Sequence, residues 1–185
     1  MRVNGHLELA LACAGVLALG CASAPRSASP AATTEPKAAG AVALPPGQSV
    51  AFELHARGTQ NYACRAKADA PTTWGWVLVA PEAELLDAGG RTVGKHYQGP
   101  TWEISEDGSK VAARVVARGD APEPDAVPWL LLQVTEPSAG GMFAGVKSVQ
   151  RIDTHGGKAP PGGCDASAAE QVVKVPYTAS YAFAR

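Results

Sequence analysis

Residues 49–57 read SVAFELHAR, and this stretch sets the character of the fold. Val50, Phe52 and Leu54 fall on one face of an extended chain, while Glu53 and His55 fall on the other. An alternation of apolar and polar residues with a period of two is typical of a β-strand that buries one face. The same pattern, or a continuous apolar run, recurs in residues 74–79, 102–104, 111–118, 129–134, 149–152, 172–175 and 177–183.

Turn residues such as Gly99-Pro100 separate these strands at short intervals. Asp107-Gly108 lies between two strand-like runs and favours a type I′ hairpin, because both central residues of that turn need positive φ. No segment has a convincing helical stripe, although residues 81–86 fit either one helical turn or a strand edge. We therefore predict an all-β fold, either a single antiparallel β-sandwich or a partly closed barrel.

The N-terminal segment has the layout of a secretion signal. Arg2 precedes an apolar run from roughly Leu7 to Leu19, which is too short to span a bilayer. The letters ALGC at residues 18–21 end this run and place a cysteine at the expected cleavage point. We predict that residues 1–20 are a lipoprotein signal peptide and that Cys21 carries the lipid. Palmitate is expected among the acyl chains of this lipid. The alternatives are ordinary secretion, with cleavage after residues 22–24 (ASA), and an uncleaved anchor.

The segment after the signal is expected to be a tether. Residues 22–44 contain almost no large apolar side chain and cannot build a core. We predict that residues 21–44 are the lipidated cysteine and a disordered tether, and that residues 45–185 form a single β-domain. The predicted location is extracytoplasmic and membrane-anchored, and the lack of aspartate directly after Cys21 favours the outer membrane.

The charge pattern bears on the choice of partner. The chain has 16 Lys and Arg residues against 17 Asp and Glu residues, with no basic cluster, so nucleic acid is not a predicted partner. The predicted partners are the membrane, through the lipid on Cys21, and a polysaccharide or another envelope protein.

The chain has four cysteines, of which Cys13 lies in the signal and Cys21 takes the lipid. Cys64 and Cys164 remain in an oxidising compartment, where a disulfide is the expected outcome. The alternative is a pair of thiolate metal ligands, but neither cysteine has a second one at the short spacing usual for zinc. We predict a Cys64–Cys164 disulfide, no cofactor and no assigned metal.

Six segments carry a resemblance to a known family. They are GTQNYAC at residues 58–64, PEAEL at 81–85, VGKHYQGPTWE at 93–103, DGS at 107–109, WLL at 129–131 and VQRIDTHGG at 149–157. Together they resemble domain of unknown function family 3455, a family of secreted bacterial and fungal proteins. The resemblance implies one extracytoplasmic domain and the pairing of Cys64 with Cys164. It implies no activity and no catalytic residue.

Residues 94–103 form the candidate ligand-binding surface, because His96, Tyr97, Trp102 and Glu103 surround a Gly-Pro turn. Binding sites favour such amphipathic rings beside a few fixed polar groups, and His155 is added as a candidate. The structural alternative is that Trp102 lies in the core and that His96 and Tyr97 point to opposite faces. Trp74 and Trp76, which share a strand face, are interpreted as core residues, with an exposed ligand platform as the alternative.

Catalytic motifs are not found in the sequence. It contains no G-x-S-x-G elbow, no phosphate-binding loop and no zinc-protease motif. The leading hypothesis is therefore a cell-envelope lipoprotein that acts as a non-catalytic binding module for a glycan or protein partner. The alternative is a small extracytoplasmic enzyme or metal-binding protein that uses His96, Glu103 and His155, and a purely structural envelope protein is a third possibility.

Overall fold

The structure is a computed structural model that describes residues 40–185, all within one compact unit. The predicted signal peptide, the lipid site at Cys21 and tether residues 22–39 lie outside these described residues. Within them, no helix is long and apolar enough to cross a membrane. The strands are β1 Val50–Lys67, β2 Ala70–Leu86, β3 Thr92–Tyr97, β4 Thr101–Ile104, β5 Lys110–Gly119, β6 Trp129–Glu136, β7 Ser148–Gly156 and β8 Val172–Ala184, with a short 3-10 helix, Ala166–Ala168, before β8.

The eight strands form one closed antiparallel barrel. Each strand pairs with the next along the chain, and β8 returns to pair with β1 along most of its length. The prediction of a single antiparallel β-domain is confirmed, and the sheet closes completely. An eight-stranded barrel has an interior just wide enough to be filled by side chains or to hold one small ligand.

Inward-facing side chains of the alternating strands fill most of this interior. Leu54 on β1, Leu85 on β2 and Tyr181 on β8 belong to one continuous buried cluster. One end of the barrel is plugged by aromatic rings, because Phe143 from the β6–β7 loop packs against Phe52 and Phe183 with ring centroids 6.0 and 4.9 Å apart. These packed rings close this end of the barrel.

The other end of the barrel is extended by the hairpin of β1 and β2. β2 pairs with β3 only from Ala83 onward, so residues 70–82 contact a neighbouring strand on one side alone. Trp74 and Trp76 lie on this extension and are half-buried outside the barrel core, where the Trp76 indole donates to the carbonyl of Gly162 at 2.8 Å. Their predicted place in the core is therefore wrong, because they lie on the part of β2 that extends beyond its pairing with β3.

Two further predictions concern local structure. Residues 81–86 are strand rather than a helical turn. The type I′ turn at Asp107-Gly108 is wrong, because only Gly108 has positive φ and the connection is a longer loop. The Asp107 carboxylate instead accepts from the backbone N–H groups of Ser109 and Met142, which joins two loops at the plugged end.

The predicted disulfide is confirmed. Cys64 on β1 is bonded to Cys164 in the β7–β8 loop, with Cα atoms 5.4 Å apart and a sequence separation of 100. Backbone hydrogen bonds from Cys64 to residues 170 and 171 add to this link. Packing also begins a little before residue 45, since Val42 is fully buried and its carbonyl accepts from Gln150.

Candidate functional site

A cavity of about 110 Å³ lies inside the barrel at the end opposite the phenylalanine plug, and we call it the barrel pocket. Leu78 and Pro81 of β2 and Pro100 of the β3–β4 turn surround its mouth. Because Leu78 is half exposed and Arg118 is exposed, the cavity extends to the protein surface. Its polar and aromatic lining comes from Gln60, His96, Trp102, Arg118, Arg151 and Tyr181.

His96 lies in the wall of the barrel pocket as a neutral acceptor. Its ring stacks on Trp102 with centroids 4.6 Å apart and contacts Tyr181 at 4.9 Å. Nδ1 is 2.8 Å from the carbonyl of Thr101, which can only accept, so Nδ1 carries the proton and Nε2 keeps a free lone pair. Burial lowers the pKa of His96 to about 3; the Thr101 hydrogen bond opposes that shift, and the charge of Arg151 adds to it.

Arg151 brings a positive charge into the barrel. It is the one charged residue among the buried polar side chains of residues 40–185, and no Asp or Glu is buried with it. Its Nε and Nη2 donate to the carbonyl of Pro128 at 3.1 and 2.8 Å, which uses two of its five N–H groups. Burying a charge without an opposite charge lowers the stability of the folded state, so stability alone does not explain an arginine at this position.

Two further donors in the pocket wall are not satisfied. Nε1 of Trp102 and Nε2 of Gln60 are buried and have no hydrogen-bond partner among the described residues at good geometry. Burial raises the pKa of the Tyr177 hydroxyl, and the neighbouring Tyr181 adds to this, whereas Arg151 and the Gln60 amide lower it. The pocket wall thus contains two unsatisfied donors, from Gln60 and Trp102, beside the guanidinium of Arg151.

The segment 149–157, which contains Arg151, has an irregular backbone. A bulge on β7 between Ile152 and His155 leaves Asp153 with a φ of 48° and turns Thr154 inward, where its hydroxyl donates to the carbonyl of Val127 at 2.7 Å. Gly157 has a φ of 86°, and a Cβ there would lie 2.8 Å from the Cβ of Tyr177. The conformation of this segment therefore demands its bulge and its glycine.

The outward half of the predicted surface lies on the opposite side of the sheet. The Tyr97 hydroxyl donates to Glu103 at 2.7 Å, and Lys95 pairs with the same carboxylate at 3.2 Å. The Tyr97 hydrogen bond and Lys95 lower the pKa of the Glu103 carboxyl. Tyr97 and Lys95 also line a larger outer groove of about 740 Å³ along β1, β2 and β3.

The charges of the outer groove are already paired with one another. Arg57 pairs with Glu84 at 3.2 Å, and Lys174 pairs with Glu82 at 2.6 Å. Exposed pairs of this kind are satisfied by each other and by water, so they give little reason to expect a ligand. The barrel pocket differs because Arg151 has no acidic partner among residues 40–185, and because the donors of Gln60 and Trp102 have no hydrogen-bond partner there.

His155 lies apart from the other candidates. Its Nδ1 is 2.7 Å from Glu123 on the outer surface, with 62% of its side chain exposed, while His96 faces the barrel interior. Residues 40–185 contain no group of three His, Cys, Asp or Glu side chains placed to hold a metal ion. The predicted set therefore divides between the interior (His96, Trp102), the outer sheet face (Tyr97, Glu103) and a separate surface (His155).

Gln60, Arg151 and Tyr181 are pocket residues that were not predicted as site residues. Strand alternation could have indicated two of them: Arg151 shares the inward face of β7 with Val149, and Gln60 shares the inward face of β1 with Leu54 and Ala56. A charged or amide side chain at an inward position of an otherwise apolar face is unusual. Arg151 and Gln60 meet at one cavity only because the barrel closes and brings their strands together.

Comparison with known proteins places the chain in a family. The family profile described as "Protein of unknown function (DUF3455)" matches residues 45–185, which covers the whole barrel. No curated protein and no solved structure shows significant similarity to the chain. The match spans more than half of the sequence and agrees with the six segments that carried the resemblance, so the chain belongs to the DUF3455 family of proteins of unknown function.

Proposed function

We propose that this protein is an extracytoplasmic, non-catalytic binding module that takes a small molecule, or the end group of a glycan, into the barrel pocket. In this proposal the lipid on Cys21 and the following tether hold the barrel near a membrane. The observation that supports the proposal is Arg151, a buried charge beside a cavity that has no buried acidic residue. Ligand sites are commonly concave, mostly apolar and equipped with a few fixed polar groups.

The dimensions of the cavity limit what can enter. A cavity of about 110 Å³ is smaller than the engineered apolar cavity of about 150 Å³ that holds benzene. A complete sugar ring is too large for it, but a terminal group of a few heavy atoms fits. The open mouth allows the rest of a larger molecule to stay outside, against Leu78, Pro100 and Arg118.

The enzyme or metal alternative has less support. It needed His96, Glu103 and His155 to converge, whereas these side chains lie on three separate surfaces. The indole and imidazole rings of the pocket are better suited to contact the ligand than to transfer protons, because His96 is held neutral.

The proposal is tested by blocking the mouth of the pocket. Leu78→Trp adds an indole at the half-exposed edge of the mouth, and Val79→Trp is its matched control, because Val79 is similarly exposed but does not line the pocket. Binding of sugar acids, neutral sugars and small organic acids to the full chain would be followed by the NMR signal of the Trp102 indole N–H. We expect at least one probe to shift this signal, and Leu78→Trp alone to weaken its binding by about tenfold or more. If no probe binds, or if both variants bind as the wild type does, the proposed site is wrong.

A further inference from the structure

The lining of the barrel pocket carries positive charge without negative charge. Its lining contains Arg151 and Arg118 but no Asp or Glu, and the ion pairs of residues 40–185 all join side chains other than Arg151. The amide of Gln60 and the indole of Trp102 add neutral donors to the same wall. A site with a positive charge and surplus donors favours a ligand that supplies negatively charged acceptors.

We infer that the ligand of the barrel pocket carries a carboxylate group, which pairs with the guanidinium of Arg151 inside the barrel. This inference rests on the proposed function, because it names the chemistry of the ligand at the same site. The binding step is an association only, with no bond made or broken.

The geometry of Arg151 supports a flat, two-oxygen acceptor. Nε and Nη2 form one edge of the guanidinium, and that edge is held by the carbonyl of Pro128. The end formed by Nη1 and Nη2 is the remaining edge, and two parallel N–H groups at this end match the two oxygens of a carboxylate. The Pro128 contact also fixes the orientation of the group before the ligand arrives.

The surroundings strengthen such a pair. The guanidinium lies among Trp102, Leu130, Leu132 and Tyr181, which are all buried. In an environment of low polarity, the attraction between opposite charges is much stronger than in water, provided that the pair is also hydrogen-bonded. The pocket already contains the cation, so an entering carboxylate neutralises a charge that the fold has buried.

Carboxylates can reach this site from two sources that share the same chemistry, a small organic acid or the sugar acid at the end of a polysaccharide. The probes are therefore chosen as acid and neutral pairs. Acetate with acetamide represents the small-molecule source, and glucuronate with glucose represents the sugar source. Inorganic phosphate is the third type of probe, because it is an anion of tetrahedral shape.

The experiment measures Kd for each probe with the full chain, using the Trp102 indole N–H signal, for the wild type and three variants. We expect an acid to bind at least about tenfold more tightly than its neutral partner, and Arg151→Met to remove this difference. Whichever acid binds more tightly identifies the source. Arg118→Gln, at the exposed mouth, should weaken acid binding several-fold, while Arg114→Gln on the same strand, outside the pocket, should leave it unchanged.

The possible failures can be told apart. In one outcome, acid and neutral probes bind equally well, and Leu78→Trp abolishes the binding of both. This result would overturn the carboxylate inference and leave the proposed site intact. Phosphate that binds more tightly than every carboxylate would overturn it as well. Both proposals would be overturned if no probe binds, or if Leu78→Trp leaves the binding of every probe unchanged. Should Arg151→Met not fold, the comparison of Arg118→Gln with Arg114→Gln decides the matter.

Discussion

Arg151 occupies a position where strand alternation calls for an apolar side chain. Its neighbour on the inward face of β7, Val149, is fully buried in the core. The fold accommodates the guanidinium with the Pro128 carbonyl and the π-rich wall of Trp102 and Tyr181, but it provides no carboxylate. At the scale of single residues, this is the feature of the chain that stability alone does not explain.

His96 allows a prediction about pH at the same scale. Its pKa is about 3 in the folded state and about 6.5 in an unfolded chain, so below pH 6.5 only the unfolded state binds the proton. Folding stability should therefore fall with decreasing pH, by about 1.4 kcal/mol per pH unit from this group, until the folded pKa is reached. His96→Asn should make the dependence shallower.

Urea unfolding from about pH 7 down to about pH 4 measures this dependence. His55→Asn is the control for replacing a histidine at the protein surface, because His55 is exposed on the outer face of β1. Equal slopes for His96→Asn and the wild type would show that His96 is not held neutral by the fold.

At the scale of elements, the long β1–β2 hairpin and the β7–β8 loop build the open end of the barrel. The hairpin extends beyond its pairing with β3, and the loop returns along it through the Cys64–Cys164 bond and the Trp76–Gly162 hydrogen bond. Gln60 and Leu78 of the hairpin line the barrel pocket, whereas the loop packs against the hairpin outside the pocket. The disulfide therefore ties the loop to β1, the strand that contributes Gln60 to the pocket.

We expect the paired change Cys64→Ser and Cys164→Ser to lower the free energy of unfolding by about 2–5 kcal/mol, because it frees a long loop in the unfolded state. Denaturant unfolding gives this difference, and intact mass should first show that the wild-type protein carries the bond. Wild-type protein kept reduced serves as the control and should behave like the variant. Unfolding energies that do not differ would mean that the hydrogen bonds of residues 170 and 171 hold the loop without the disulfide.

At the scale of the whole molecule, the barrel has two different ends. Phe143 plugs one end with a side chain from a loop, whereas the other end keeps a cavity with an open mouth. The first described residues are attached to the barrel, because Val42 and Leu44 pack against Trp129 and Leu131 of β6. The predicted tether would thus leave the barrel from a fixed point.

The proposed anchor is tested with the full chain expressed in a bacterium. Cys21→Ser should move the protein from the membrane fraction to the soluble fraction, because the acylated thiol is the proposed attachment. Cys13→Ser, within the predicted signal peptide, is the matched control and should stay with the membrane. A soluble wild-type protein would favour ordinary secretion, and a Cys21→Ser variant that stays with the membrane would favour an uncleaved anchor.

Much of the fold follows from local patterns. The alternation in residues 49–57 and its repeats predict an all-β domain, and the two cysteines left for the domain predict the disulfide. Opposite faces for His96 and Tyr97 also follow, because successive side chains of a strand point to opposite sides of the sheet. The overhang of β2 and the loop at Asp107-Gly108 depend on distant partners, and local patterns predict neither.

The sequence by itself therefore determines the all-β class, most of the strands, the inward face of strands such as β1, and the family to which the chain belongs. Only the tertiary structure decides that the barrel closes through β1 and β8, and that Gln60, His96 and Arg151 meet around one cavity. The physical reason is that alternation is a property of neighbours along the chain, whereas a cavity is a property of strand register and barrel closure, which join residues far apart in sequence.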